Sequence, residues 1–363
     1  MPIPQTMRAL MCHGPRDYRC EQRPVPKIGP DDVLARVEAC GICAGDIKSY
    51  QGAAMFWGDG GVLPRWNDPP CVAGHEFIGI VELIGERAAK KHGLSVGDRA
   101  IAEQIVPCWE CRYCRDGHYW MCEQAHIHGH QKEVADGGMA QYIRFGKNDV
   151  VHKVSLSLPA EHAAMIEPLS CSVHTVARAG IGFSDVVVIA GRGPIGLCKL
   201  QLAKLKNPKL LVAIDSKPKR LELARQLGAD IALDFTACDA VAEVMRLTRG
   251  YGCDIYIHNS GHPSGVVQGL KMLRKLGRFV EFSVFSGETS VDWSVIGDRK
   301  ELDILGSHIS GLDGYKVAID FLQRGIIRVD QIVTHTFPLS EWERAFEMAA
   351  QGTDSIKVVL NPQ

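Results

Sequence analysis

"SDVVVIAGRGPIGLCKLQLAKL", residues 184–205, changes character twice. A β-branched apolar run comes first, too short for a helix and typical of a strand covered on both faces. The glycines of "GRGPIG" follow, and from Leu197 the apolar residues recur at helical spacing. Buried strand, glycine turn and helix, in that order, open a strand–helix–strand unit. The same alternation then continues along the chain. "KLLVAID" (209–215), "ADIALD" (229–234), "CDIYIHNS" (253–260), "GRFVEFSVF" (277–285) and "LDILGSHI" (302–309) read as strands. "KPKRLELARQLG" (217–228), "CDAVAEVMRLTRG" (238–250) and "GVVQGLKMLRKLG" (265–277) read as helices between them. Six or so strands interleaved with helices predict an α/β domain with a doubly wound parallel sheet over residues 161–305.

Residues 1–160 read differently, as short strands and glycine-rich loops: "DDVLARVEACGIC" (31–43), "FIGIVELIG" (77–85), "VGDRAIA" (96–102) and "MAQYIRF" (139–145). They predict a β-rich, partly closed barrel. After residue 305, two helices (314–325 and 340–352) and a closing strand (355–362) are expected to return to that first domain. Two domains also suit a length of 363 residues. The 41 basic and 42 acidic residues give a net charge of −1, which provides no general attraction to nucleic acid or anionic membrane. No apolar stretch reaches the ~18 residues of a bilayer span, and the N-terminus lacks a signal-peptide core. Thirteen cysteines, an odd number scattered mostly through apolar segments, suit reduced thiols and metal ligands in the cytoplasm.

In the glycine turn, Gly191, Gly193 and Gly196 have the spacing of a dinucleotide-binding fingerprint, with Pro194 and Ile195 opening the helix. The first glycine makes the tight turn, the second lets backbone approach a pyrophosphate, and the third allows close helix–strand packing. The helix N-terminus supplies donors to that pyrophosphate. Asp215 ends the next strand, where a carboxylate accepts ribose hydroxyls and repels the extra phosphate of NADP, so NAD is the expected cofactor. Arg220, Lys217 and Lys219 just beyond it are basic enough to tolerate a 2′-phosphate, but Asp215 is expected to prevail. Arg192, between the first two glycines, has no assigned role.

Cysteine spacing points to a metal. "CWECRYCRDGHYWMC" (108–122) places Cys108, Cys111, Cys114 and Cys122 in one short loop. A redox pair lacks its fold context and the compartment disfavours disulfides, leaving zinc or an iron–sulfur cluster. Four thiolates close a tetrahedral shell, so a zinc here is structural. Two other segments carry a second set: "GICAGD" (41–46) with Cys43 and Asp46, and "GHEF" (74–77) with His75 and Glu76. "AMIEPLSC" (164–171) adds Glu167. Cysteine, histidine and carboxylate together are typical of a catalytic zinc with an open position.

These motifs, in this order, resemble the zinc-dependent medium-chain dehydrogenases, and within them the sorbitol dehydrogenase-like polyol branch. The resemblance covers essentially the whole chain. It implies a GroES-like catalytic domain with a Rossmann domain inserted before its C-terminal part, and zinc in the four-cysteine lobe. Cys43 and His75 would ligate a catalytic zinc, with Glu76 and Glu167 as carboxylate ligands, direct or through water. Asp46 would accept from the free nitrogen of His75 and fix its orientation. The expected cofactors are two zinc ions per chain, one catalytic and one structural, and NAD. Zinc would lower the pKa of a substrate hydroxyl and leave hydride transfer to the nicotinamide. One departure stands out: the family commonly has Ser or Thr where this chain has Gly45, so the usual proton relay lacks its first hydroxyl. A zinc-bound water, a nearby carboxylate or the substrate's second hydroxyl must then take the proton.

The stretch between the ligand segments, residues 50–77, is long and carries Trp57, Asp59, Arg65 and Trp66. It reads either as a surface loop anchored by tryptophans or as a lid for a short, hydroxyl-rich substrate. "GAAMFWGD" (52–59) resembles the four-carbon polyol dehydrogenases acting on erythritol and L-threitol. The expected activity is therefore NAD-dependent oxidation of a short-chain polyol to a ketose by a homo-oligomer, tetramer or dimer. The alternatives are an L-threonine or other secondary-alcohol dehydrogenase and, from another class, a nucleic-acid-binding zinc protein. His126, His128 and His130 alternate in "HIHGHQKEVADGGMAQY" (126–142) and are expected in a solvated loop.

Overall fold

The computed structural model describes residues 2–60, 65–285 and 287–363. Two compact units emerge, Met1–Glu167 with Tyr315–Gln363, and Pro168–Gly314.

The second unit is built on the opening strand–turn–helix. Strand Val186–Ala190 lies inside a six-stranded parallel sheet. Its order is Ile231–Asp234, Leu210–Asp215, Val186–Ala190, Cys253–His258, Leu273–Glu281 and Asp303–Gly306. Val187, Val188 and Ile189 are completely buried, which is why the run is apolar on both faces. The chain order reverses beside Val186–Ala190, and the carboxyl ends of the flanking strands open a crevice there. Helix Pro194–Leu205 starts at that edge with proline in its first turn.

The expected helix over 265–277 is shorter. It runs Pro263–Met272, and Leu273 already begins the strand Leu273–Glu281. Lys300 explains the early stop, since its Nζ donates to the carbonyls of Leu270, Lys271 and Leu273 at 2.8, 3.0 and 2.6 Å. The backbone carbonyls at the helix end are thus satisfied from outside the helix.

In the first unit, strand Val33–Gly41 pairs antiparallel with Glu76–Ile84, Tyr142–Phe145 and the closing strand Lys357–Asn361. The sheet continues through Arg99–Ala102 to Val151–Val154 on one side and ends at Val333–Pro338 on the other. Val333–Pro338, parallel to the closing strand, went unread in the sequence because it is half exposed and ends in proline. A smaller sheet joins Asp17–Pro24, Thr6–Gly14 and Cys71–Val72. Phe77, Phe145, Val33, Val37, Cys40, Val358 and Leu360 are among the buried residues of the core between them. Among the described residues no helix is long and apolar enough to cross a membrane.

Candidate active site

Cys43 follows directly on the strand Val33–Gly41 and caps the helix Ala44–Gln51. Its Sγ accepts from the Gly45 amide at 3.3 Å, while Asp46 Oδ2 accepts from the Cys43 amide at 2.8 Å. This reciprocal cap fixes the sulfur at a helix N-terminus, where amide dipoles favour a thiolate. Register places Glu76 opposite Gly41, which brings His75 and Glu76 to the same end of the sheet. One ligand atom each from Cys43, His75 and Glu76 lie within 4.8 Å of one another. A thiol, an imidazole and a carboxylate this close fit a zinc ion that retains an open position.

The surroundings are charged and closed to solvent. His75 Nδ1 lies 3.4 Å from Asp46 Oδ1 and makes no hydrogen bond. Burial pulls the His75 pKa down, but Asp46 and Cys43 outweigh it and hold it well above its ordinary value. Burial also pushes the Cys43 thiol up, a cost that a cation in the pocket would offset. Glu76 forms an ion pair with Lys357 of the closing strand, and both side chains are buried. Lys357 also donates to the Ile42 carbonyl at 3.0 Å. Gly41 is required here, because a Cβ on it would sit 2.1 Å from Glu76 Oε2 and 2.9 Å from Lys357 Cε. Glu167, in the first turn of helix Ile166–Ala179, is buried outside the three-residue cluster and accepts from Gln104 Nε2. The Gln104 amide in turn donates to the Tyr315 hydroxyl at 2.9 Å.

At Gly45 a Cβ would meet Phe56 Cζ at 3.5 Å, Cys43 Sγ at 3.6 Å and His75 Cε1 at 3.9 Å, all ordinary contacts. The missing relay hydroxyl is therefore not excluded by space. Phe56 comes from the long stretch between the ligand segments, whose residues 61–64 lie outside the described residues. Trp57 Nε1 donates to the Ser49 carbonyl at 2.8 Å, Arg65 stacks over Trp57 at 5.4 Å, and Trp66 meets Phe56 edge-on at 6.2 Å. The tryptophans thus pin this stretch onto the helix that begins at Cys43.

The histidines of 126–130 do not form a solvated loop as expected. His128 is fully buried and His130 is 4% exposed, while His126 is half-buried. The difference arises from partners distant in sequence: His128 Nε2 meets Asp149 Oδ1 at 2.6 Å, and His130 Nδ1 meets Asn67 Oδ1 at 2.6 Å. Burial pushes the His130 pKa down to about 4. Lys357, Gly41, Phe56, Asn67 and His130 were missed as site residues in the sequence. Only the histidine alternation gave a signal, and its partners lie too far along the chain to be paired by spacing.

In the lobe, ligand atoms of Cys108, Cys111, Cys114 and Cys122 also lie within 4.8 Å of one another. Cys108 Sγ accepts from the amides of Glu110 and Cys111 at 3.4 and 3.3 Å, and Cys122 Sγ from that of Cys108 at 3.3 Å. Backbone and neighbouring cysteine hydrogen bonds pull the Cys111 thiol down to about 6. Four sulfurs with amide donors form a closed thiolate shell suited to zinc. Tyr119 ties the lobe down, its hydroxyl donating to Glu103 at 3.0 Å.

In the second unit, Gly191 has φ +87°, and a Cβ at Gly196 would lie 1.9 Å from the Gly191 carbonyl oxygen. A Cβ at Gly193 meets nothing within 4 Å, which leaves the approach to the helix N-terminus open to a pyrophosphate. Asp215 Oδ2 accepts from the Arg192 amide at 2.5 Å, and its Oδ1 from those of Ser216 and Lys217 at 2.8 and 2.9 Å. The carboxylate is thus fixed at the strand end facing the glycine turn. Arg220, in the first turn of helix Pro218–Gln226, has its pKa lowered by burial against the pull of Asp215. Arg192 is fully buried: its Nη1 donates to the Gly196 carbonyl at 3.1 Å, and its Nε and Nη2 have no hydrogen bond. It props the turn from beneath.

Comparison with known proteins agrees with both halves of this picture. Residues 29–155 match the alcohol dehydrogenase GroES-like domain, and residues 194–324 the zinc-binding dehydrogenase family. The erythritol/L-threitol dehydrogenase of Mycolicibacterium smegmatis is 48% identical over 360 residues, covering 99% of each chain. The sorbitol dehydrogenase of Halalkalibacterium halodurans is 31% identical over 361 residues, 98% of this chain and 99% of that one. A zinc-binding dehydrogenase of Sinorhizobium meliloti bound to NADP superposes with a TM-score of 0.88 at 27% identity, over 99% of this chain and 100% of that one. With two donor clusters, a glycine turn facing an acidic strand end, and relatives matched from end to end, the chain belongs to the zinc-binding medium-chain dehydrogenases.

Proposed function

We propose that this enzyme oxidises a four-carbon polyol, erythritol or L-threitol, to a ketose with NAD as the hydride acceptor. The observation that supports the reading is the Cys43–His75–Glu76 donor set, with His75 and Glu76 buried and Asp46 behind His75. The 48% identity to an erythritol/L-threitol dehydrogenase supports the substrate. Zinc held by these donors supplies Lewis acidity that lowers the pKa of the substrate hydroxyl, and NAD takes the hydride. The chain's own residues supply position and charge. Cys43, His75 and Glu76 would hold the metal, Glu167 would be a further carboxylate, and Asp46, 3.4 Å from His75 Nδ1, would orient the imidazole. Lys357 balances Glu76, which lowers the net negative charge of the donor set. Gly191, Gly193, Pro194, Ile195 and Gly196 receive the pyrophosphate, and Asp215 with Arg220 receives the adenine ribose.

Asp215 favours NAD over NADP, because its carboxylate repels a 2′-phosphate. Zinc in the four-cysteine lobe is structural. We place the enzyme in the cytoplasm, where reducing conditions keep that lobe as thiolates. A homo-oligomer is supported by the edge strand Asp303–Gly306, where Ile304 is 44% exposed near the 72% exposed Trp293. The test is an NAD-reduction screen over C3–C6 polyols, with and without a zinc chelator. Turnover of a four-carbon polyol that the chelator abolishes is expected; no polyol turnover overturns the substrate, and chelator-resistant turnover overturns the mechanism.

A further inference from the structure

We propose that His130 is a specificity-determining residue whose Nε2 accepts a hydrogen bond from the substrate hydroxyl next to the one being oxidised. The inference rests on the polyol reading above and assigns it a residue. His130 lies beside the metal donors, its ring centroid 5.8 Å from that of His75. It stacks on Phe56 at 5.4 Å with 14° between the planes. Phe56 itself reaches within 3.5 Å of the point where a Gly45 Cβ would stand, a point 3.6 Å from Cys43 Sγ. Phe56 and His130 therefore form one aromatic wall next to Cys43 and His75.

The tautomer is set by a chain of buried polar groups. Asn67 Nδ2 donates to Ser49 Oγ at 2.8 Å, and Ser49 Oγ lies 3.0 Å from the Tyr18 hydroxyl. With its amide nitrogen directed there, Asn67 presents Oδ1 to His130 Nδ1, which must carry the proton. Nε2 is then the acceptor of the ring, on the side away from Asn67. An imidazole nitrogen without its proton accepts a hydrogen bond from any donor brought beside it. Hydroxyl groups are donors, and a substrate with hydroxyls on adjacent carbons offers one to Nε2 while the other reacts. The backbone that carries the ring is tied down as well: the His130 carbonyl accepts from the Asp68 amide at 2.8 Å, and the neighbouring Gln131 Nε2 donates to the Trp66 carbonyl at 2.9 Å. A site built to pair a hydroxyl discriminates strongly against the analogue lacking it.

The experiment compares kcat/KM for a four-carbon polyol with that for butan-2-ol, which keeps the carbon skeleton and one hydroxyl. In the zinc-loaded His130→Phe enzyme, which retains a stacking ring but no acceptor, the polyol to butan-2-ol ratio should fall about 10- to 100-fold. His130→Gln, which restores an acceptor, should recover part of it. An unchanged ratio in His130→Phe, with the wild type turning over polyols, overturns this inference alone. Absence of polyol turnover by the wild type overturns the parent reading as well. Should the variants not fold, a crystal structure of the wild-type holoenzyme with bound polyol decides. A hydroxyl oxygen within about 3.2 Å of Nε2 supports the role, and a bound polyol that leaves Nε2 unengaged overturns it.

Discussion

The two cysteine-bearing donor clusters among the described residues each gather their ligand atoms within 4.8 Å and are built in opposite ways. The lobe draws four like ligands from fifteen consecutive residues and leaves Trp109, Tyr113 and Met121 more than 40% exposed around them. The second cluster draws three unlike ligands from two segments joined only by sheet register, and encloses them with a lysine, an aspartate and an aromatic wall. The first arrangement can be completed by metal and backbone alone, so its contribution is to folding. The second depends on the folded sheet to exist and offers three donors, so a zinc held there would have a position left for a reacting group. Ligand count and sequence locality thus distinguish a clamp from a working centre.

The strongest way to break this contrast is Cys43→Ser. Turnover should fall at least about 10³-fold and zinc content should drop from two per chain to one. The circular dichroism spectrum should be retained. Activity surviving at the wild-type level would mean that the mixed cluster is not the reacting centre. The mirror experiment is Cys111→Ser, expected to lower the melting midpoint by roughly 10 °C, with one zinc lost and kcat per folded molecule kept within about threefold. A thermal scan paired with metal analysis would check it.

Lys357→Met asks whether the working centre also depends on a protein cation. Leaving Glu76 buried without its partner should cost about 3–5 kcal/mol in denaturant unfolding, and Glu76→Gln in the same chain should restore most of it. Equal losses in single and double variants would show that packing, not charge, holds the pair. The smallest effect concerns the seat of the lobe, where His128 faces Asp149 and the Asp136 carbonyl, at 2.6 and 2.8 Å. Burial lowers its pKa, but Asp149 outweighs that and the net direction is upward. A histidine raised on folding stabilises fully below its unfolded value, about 6.5, and loses that stabilisation as pH rises through the folded value. The melting midpoint should therefore fall by about 2 °C from pH 6.5 upward, and His128→Leu should flatten that slope.

What the sequence disclosed follows the same division between local and distant. The parallel sheet was legible because its central strands, Val186–Ala190, Leu210–Asp215 and Cys253–His258, are apolar and largely buried, and apolar residues at helical spacing follow them. The two donor clusters were legible as candidates because Cys43, His75 and the four lobe cysteines lie in short motifs. The helix end at Met272 was not, since Lys300 sets it from another loop. Nor were the roles of His128, His130 and Lys357, each decided by a partner at least twenty residues away. A buried lysine in "SIKVVLNP" looks like any strand lysine until its carboxylate partner is placed opposite.

Lys357 bonds to the carbonyl of Ile42, 315 residues earlier in the chain, and neutralises the glutamate beside the metal donors. In a chain still emerging from the ribosome, Cys43, His75 and Glu76 are therefore made long before their counter-charge. Glu76 stays without its lysine until the closing strand has been made and seated. The charge balance of the donor set thus waits on the last strand of the sheet to be synthesised.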